Sequence, residues 1–212
     1  LIQGQRLFNN SDDPRLAKDQ WIACATCHFE GGNDGASWFF PDGKRNTPSL
    51  FNSVQTAPFH WNGDLNEIQD VEFTIQDLMA GHGLSGGQPN CMPNCSLDKS
   101  NAGRSDDLDA LANYVNSLQF PIAFTQMNAL ANFSAYTNGK AIFESEETEC
   151  ITCHTPPNYT DNKNHLSDLS SPGGLKRVLN TPSLLGLRDS APYLHDGSAK
   201  TLSQVIQLSA QT

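Results

Sequence analysis

Between Ser105 and Leu118 the apolar residues Leu108, Leu111, Ala112, Val115 and Leu118 recur at three- and four-residue steps, the spacing of one buried helix face. Ser105 stands where a helix N-cap belongs, and Pro121 lies just past the end of the run, where helices stop. A second stretch, "DLNEIQDVEFTIQDLMAG" at 64–81, also reads as a helix, and a Gly/Pro-punctuated loop over 81–103 separates the two. Alternating, strand-like patterns are sparse. The expected class is therefore mostly α, with long loops. Loops of that length are unusual in a compact domain, so they require something large and apolar to wrap around.

The pattern is written twice. "RNTPSLFNSVQTAPFHWNGD" at 45–64 returns as "LNTPSLLGLRDSAPYLHDGS" at 179–198, and "GQRLF" at 4–8 is echoed by "GKAIF" at 139–143. Asn46-Thr47-Pro48-Ser49-Leu50 matches Asn180-Thr181-Pro182-Ser183-Leu184, Ala57-Pro58 matches Ala191-Pro192, and Gly63 matches Gly197. His60 and His195 follow the two Ala-Pro elements and read as equivalent places. Five landmarks in one order indicate two homologous lobes, drawn at 1–120 and 121–212. The second copy closes soon after "TLSQVIQLS", without a counterpart of the 105–118 helix.

Charge and composition narrow the partners. A net charge of −10 disfavours nucleic acid and anionic membrane surfaces. No apolar run approaches the roughly 20 residues of a membrane span. The opening "LIQGQRLFNNSDDPRL" has no basic stretch leading into an apolar one, so no signal peptide remains; either one was removed or the chain is part of something longer. The acidic cluster Glu144, Glu146, Glu147 and Glu149 reads first as a solvated helix face and second as a dock for a basic partner.

Four of the six cysteines carry the chemistry. "CATCH" begins at Cys24 and "CITCH" at Cys150. Two thiols three apart on one helical turn can both add across the vinyl groups of one haem, which puts the next histidine beneath the iron. A zinc site would need both pairs to meet in space and would leave each trailing histidine a coincidence. A thioredoxin-like pair would be expected beside a βαβ pattern, which is absent. Two covalent haems c follow, one on Cys24 and Cys27 with His28 as proximal ligand, the other on Cys150 and Cys153 with His154. They also supply the apolar mass that the loops need. The remaining pair, Cys91 and Cys95 in "NCMPNCS", is a candidate local disulfide. Haem attachment and a disulfide both place the protein outside the cytoplasm, in the periplasm or at the cell surface.

The sixth iron ligands decide function, because a second strong ligand favours electron transfer and an open position admits peroxide. Met79 is the candidate for the first haem, with His82 and His60 as competitors. For the second, His195 and His165 remain, as ligands or as haem-pocket support. Trp21, Trp38, Trp61, Phe39 and Phe40 flank the first motif as pocket packing, and Trp61 is also placed to lie between the haems.

Taken together, the two Cys-x-x-Cys-His motifs, "NTPSL…TAPFHWNGD", "FESEETECITCHTPPNYTDNKNH" and "NTPSLLGLRDSAPYLHDGSAKTL" resemble the bacterial di-haem cytochrome c peroxidases, a family that includes the di-haem enzyme of methylamine utilisation. The resemblance covers nearly the whole chain. It implies two tandem cytochrome-c-like lobes, long loops wrapped around covalent haems, calcium at the lobe interface, and a periplasmic or surface-exposed protein. It also implies a redox partner, whether a small cytochrome, a cupredoxin or a neighbouring haem module, within a homo-oligomer or larger assembly. Three departures separate the chain from the peroxidases of that family. The methionine that ligates their second haem falls here near Ser209. Gln76 lies near their distal glutamine, but no acid matches their catalytic glutamate, since 81–88 is Gly-rich without a carboxylate. The histidine they carry before the first Pro-Ser element has no equivalent between Phe29 and Arg45. The expected function is electron transfer through two haems, with peroxide reduction as the alternative.

Overall fold

In a computed structural model of the chain, which describes residues 1–40, 43–85, 100–120, 133–167, 169 and 177–210, the secondary structure is short and chiefly helical. The first copy of the repeat contains α1 (Ile2–Phe8), the single turn α2 (Cys24–Cys27), a hairpin of β1 (Ser37–Phe40) and β2 (Gly43–Asn46), α3 (Val71–Asp77) and α4 (Asp106–Asn116). The second contains α5 (Phe133–Phe143), the turn α6 (Cys150–Cys153), a hairpin of β3 (Asn164–Ser167) and β4 (Arg177–Asn180), and α7 (Leu202–Ser209). Cys91 and Cys95 lie outside the described residues.

α4 forms where the apolar spacing places it. Ser105 Oγ accepts the Leu108 N–H at 3.3 Å, and Asp106, Asp107 and Asp109 put negative charge on the first turn, where the helix dipole favours it. Leu108, Leu111, Ala112 and Val115 are buried, and the helix crosses α1 so closely that a Cβ on Gly4 would stand 1.9 Å from the Ala110 carbonyl oxygen. Phe8 meets Tyr114 edge to face at 5.2 Å. The core built on this crossing takes in Leu7, Leu16, Ile22, Ile75, Met79 and Leu84. All of its buried members belong to the first copy.

The second predicted helix is shorter than its pattern. Residues 64–67 are not helical, Ile68–Asp70 form a 3-10 turn, and only Val71–Asp77 are α-helical. The cause is Asp70, 2% exposed, whose carboxylate accepts the backbone N–H groups of Asn66 and Glu67 at 2.8 and 3.2 Å and the Asn101 amide at 2.8 Å. A side-chain acceptor of this kind offers the backbone a non-helical alternative.

The copies touch through reciprocal contacts. Asn46 N–H donates to the His195 carbonyl at 2.6 Å, and Asn180 N–H donates to the Trp61 carbonyl at 2.7 Å. The Asn33 side chain reaches the Asp189 carbonyl and the Asn162 side chain reaches the Gln55 carbonyl, at 3.2 and 3.1 Å. Gly63 packs on Asn164 and Gly197 on Ser37, residues at matching places in the two hairpins. A shift of 134 residues exchanges most of these partners. That shift corrects one reading of the sequence: the counterpart of His195 is Trp61, whereas His60 matches Leu194. Both His60 and Leu194 adopt left-handed backbone, φ 65° and 67°, which confirms the register. The first copy simply carries its histidine one residue earlier after Ala-Pro.

Candidate haem sites

Each Cys-x-x-Cys-His motif folds as one helical turn ending at its histidine. His28 N–H closes onto the Cys24 carbonyl at 2.9 Å, and His154 N–H onto the Cys150 carbonyl at 3.0 Å. None of the four sulfurs is in a disulfide. The two imidazoles are then fixed alike: His28 Nδ1 lies 3.0 Å from the Pro48 carbonyl, and His154 Nδ1 lies 3.0 Å from the Tyr159 carbonyl. A carbonyl only accepts, so Nδ1 carries the hydrogen and Nε2 keeps the lone pair a metal needs. Pro48 belongs to the Asn-Thr-Pro-Ser-Leu element, which gives that repeated motif a role in orienting the first ligand.

Electrostatics agree with ligation. Burial pushes His28 down to about 4, against weaker opposing hydrogen bonds from the backbone, and burial likewise lowers His154. Both rings are neutral at pH 7. Burial raises the Cys24 and Cys27 thiols to about 11, with Asp34 adding to the effect on Cys27. Cys153 is raised by burial and then by Asp161 and Glu149. Free sulfurs, oriented neutral imidazoles and adjoining apolar surface are what a covalently held haem requires. Cys24 and Cys27 pack against the apolar core. In the hairpin of the second copy, Leu166 and Val178 are exposed on facing positions.

The remaining candidates fall into place unequally. Met79 is 6% exposed and belongs to the core that Cys24 and Cys27 border. Its carbonyl accepts from Lys18 N–H at 3.0 Å and from Trp21 Nε1 at 3.3 Å. His195 is 4% exposed, edge-on to Trp61 at 6.4 Å, while Trp61 Nε1 donates to the Asn46 carbonyl at 2.7 Å. His60 pairs with Asp64 at 2.8 Å, His165 pairs with Asp161 at 2.7 Å, and His82 is exposed. Of the flanking aromatics, Phe39 is 86% exposed and Trp21 is also exposed.

One residue escaped sequence reading. Glu72, 3% exposed, accepts from Gln76 Nε2, Ser85 Oγ and the backbone N–H groups of Leu84 and Ser85, at 2.7, 2.6, 2.8 and 3.1 Å. Its signal was present: Ile68, Glu72, Ile75 and Met79 share one helical stripe, in which the acid is the misfit.

Residues 3–134 match the sequence family described as di-haem cytochrome c peroxidase. The chain belongs to that family. The methylamine utilization protein MauG of Methylorubrum extorquens is 25% identical to it over 92% of this chain and 64% of its own length. Cytochrome-c peroxidase IdrP2 of Denitromonas iodatirespirans is 26% identical over 96% of this chain and 71% of its own. The chain thus spans about two thirds of the length of the curated relatives it matches. A solved MauG-like protein associated with microbial copper homeostasis superposes with a TM-score of 0.66 at 23% identity, covering 97% of this chain and 72% of that one. At that identity the likeness speaks for the fold. Membership of a di-haem family accounts for the pair of motifs and makes haem c the family's cofactor. No described helix is long and apolar enough to cross a membrane.

Proposed function

We propose that the chain is a di-haem electron-transfer cytochrome of this family, with one haem c held in each of two lobes, 1–120 and 121–212. In this reading Cys24 and Cys27 tether the first haem and His28 binds its iron; Cys150, Cys153 and His154 do the same for the second. The observation that carries it is the matched pair of imidazoles, each with Nδ1 tied to a backbone carbonyl and Nε2 left as the donor. Bound haem supplies one-electron chemistry. The chain's own residues do the rest: they fix the rings, exclude water on the Met79 side, and join the two copies through Trp61, Asn46, Asn180 and His195. Burial of Met79 in the core bordering Cys24 and Cys27 supports it as sixth ligand of the first haem. His195, held against Trp61, fits support of the pocket.

Calcium at the lobe interface would draw on oxygens such as Asn46 Oδ1 or Asn162 Oδ1, each buried without a hydrogen-bond partner. A periplasmic or surface location and a small redox-protein partner follow from covalent haem and the acidic surface. Pyridine haemochrome analysis with peptide mass mapping should find two haems, on the peptides containing Cys24–Cys27 and Cys150–Cys153. Fewer than two removes the proposal. Electron paramagnetic resonance should show the first iron low-spin, with peroxide turnover negligible.

Peroxide reduction is the second reading, and Glu72 favours it. The chain does hold a buried carboxylate one turn from Gln76, although in a different place from the 81–88 segment where the family's peroxidases lead one to expect it. Rapid peroxide-driven oxidation of a donor cytochrome by the haem-loaded chain would establish this reading over the first.

A further inference from the structure

Three residues ahead of each hairpin stands an aspartate, Asp34 or Asp161, whose charge acts on the second thiol of its motif, Cys27 or Cys153. In copy one, Asp34 Oδ1 accepts the Ala36 N–H at 3.0 Å and Oδ2 accepts Trp38 Nε1 at 2.7 Å. In copy two, Asp161 Oδ1 accepts the Lys163 N–H at 3.1 Å and Oδ2 meets His165 Nε2 at 2.7 Å. Trp38 pairs with Arg45 across the first hairpin and His165 with Leu179 across the second, and each ring stands four residues after its aspartate. The two arrangements are the same construction with one exchange: an indole, which can only donate, against an imidazole, which can also bind a metal.

That exchange creates a donor set. One ligand atom each from Cys153, Asp161 and His165 lies within 4.8 Å of the others, the sole such group of three among the described residues. Sulfur, nitrogen and carboxylate oxygen from three residues, with a fourth position for water, suit a tetrahedral zinc-class ion. Ligand atoms stand about 3.5 Å apart around such an ion, so the set closes with a contraction of about 1 Å. His165 has 45% of its side chain exposed and Asp161 12%, which leaves an approach from solvent.

We propose that Cys153, Asp161 and His165 bind a zinc-class divalent ion as long as Cys153 is a free thiol, so that metal and haem compete for the second copy alone. The competition, though not the metal site, rests on the attachment of haem at Cys153. In that attachment the sulfur bonds one vinyl carbon and the thiol hydrogen goes to its neighbour, with no net oxidation. The thioether that results has no proton to lose and is a poor zinc ligand. Copy one, with Trp38 in place of the histidine, escapes the competition.

The test uses the full chain isolated haem-free and the haem-loaded chain, each given Zn2+ and desalted. Metal content is measured, and thiols are mapped by alkylation and peptide mass. The haem-free chain should retain one zinc, and alkylation of Cys153 should be slower with Zn2+ than without it, while the rates at Cys24 and Cys27 do not change with Zn2+. His165→Ala and Asp161→Asn should each weaken retention about tenfold or more, in line with loss of a metal-binding group. Undiminished binding in both variants, as expected if zinc merely holds unfolded thiols, overturns the site, as does equal shielding of Cys27. Loss of zinc from the haem-loaded chain supports competition. Retention of zinc in the haem-loaded chain, with haem found on Cys153 by peptide mass, would overturn the competition; absence of haem from Cys153 would instead refute the attachment and leave the metal site standing.

Discussion

Replacing Glu72 by glutamine probes the strap that carries Met79 and His82. In the native chain one carboxylate oxygen takes three donors, from Gln76, Ser85 N–H and Ser85 Oγ, and the other takes Leu84 N–H. Glutamine has a single acceptor oxygen. If that oxygen keeps the three donors, the new NH2 faces the Leu84 N–H and leaves it buried and unpaired. An unpaired buried donor costs about 1–3 kcal/mol, and hydrogen bonds to a charged acceptor exceed those to a neutral one by roughly 1 kcal/mol. The expected loss is therefore about 2–4 kcal/mol. The strap has little room to adjust, because a Cβ on Gly83 would already stand 2.2 Å from Glu72 Oε1. Urea unfolding of haem-loaded wild type and Glu72→Gln, followed by circular dichroism, measures the loss, and amide exchange at Leu84 and Ser85 localises it. A cost below about 0.5 kcal/mol with unchanged exchange at both amides would show that the carboxylate does not hold the strap.

Other outcomes follow from individual contacts. Gly4→Ala should destabilise by at least about 2 kcal/mol, since its Cβ meets the Ala110 carbonyl; a neutral result in thermal unfolding would mean that α1 and α4 cross less tightly. The folded His28 pKa of about 4 lies below the ordinary 6.5. The stability tied to its neutral form is thus complete above about pH 6.5 and is lost as pH falls toward 4. In the haem-free chain, stability toward urea should accordingly be level above about pH 6.5 and fall as pH drops toward 4; no loss of stability across that range would contradict the burial. Trp61→Phe keeps an aromatic ring but loses the indole N–H and its 2.7 Å bond to the Asn46 carbonyl. It should cost about 1 kcal/mol in urea unfolding at unchanged haem content.

Local rules made some of this legible in the sequence. The 105–118 helix carried its own cap and apolar face, and the two attachment motifs are five-residue signatures that need no tertiary context. The repeat was also plain, yet its register after Ala-Pro was not. Histidine attracts attention as a ligand, and matching His60 to His195 overrode the neighbouring Gly63 and Gly197, which set the true alignment. α3 fell short of its pattern because Asp70 takes backbone donors that periodicity cannot see. Glu72 was missed because its partners Leu84 and Ser85 lie beyond a turn, so its value depends on tertiary folding. The Asp161–His165 pair spans only four residues, but its meeting with Cys153 is made by the hairpin.

The reciprocal bonds between the copies run largely through main-chain atoms: amide of Asn46 to carbonyl of His195, amide of Asn180 to carbonyl of Trp61. This is the logic of a two-fold symmetric dimer written into one polypeptide. Because the backbone sets the docking, an aromatic ring and an imidazole can occupy corresponding places without disturbing it. Duplicated halves joined in this manner are free to specialise, one side chain at a time, while their mutual geometry is inherited intact.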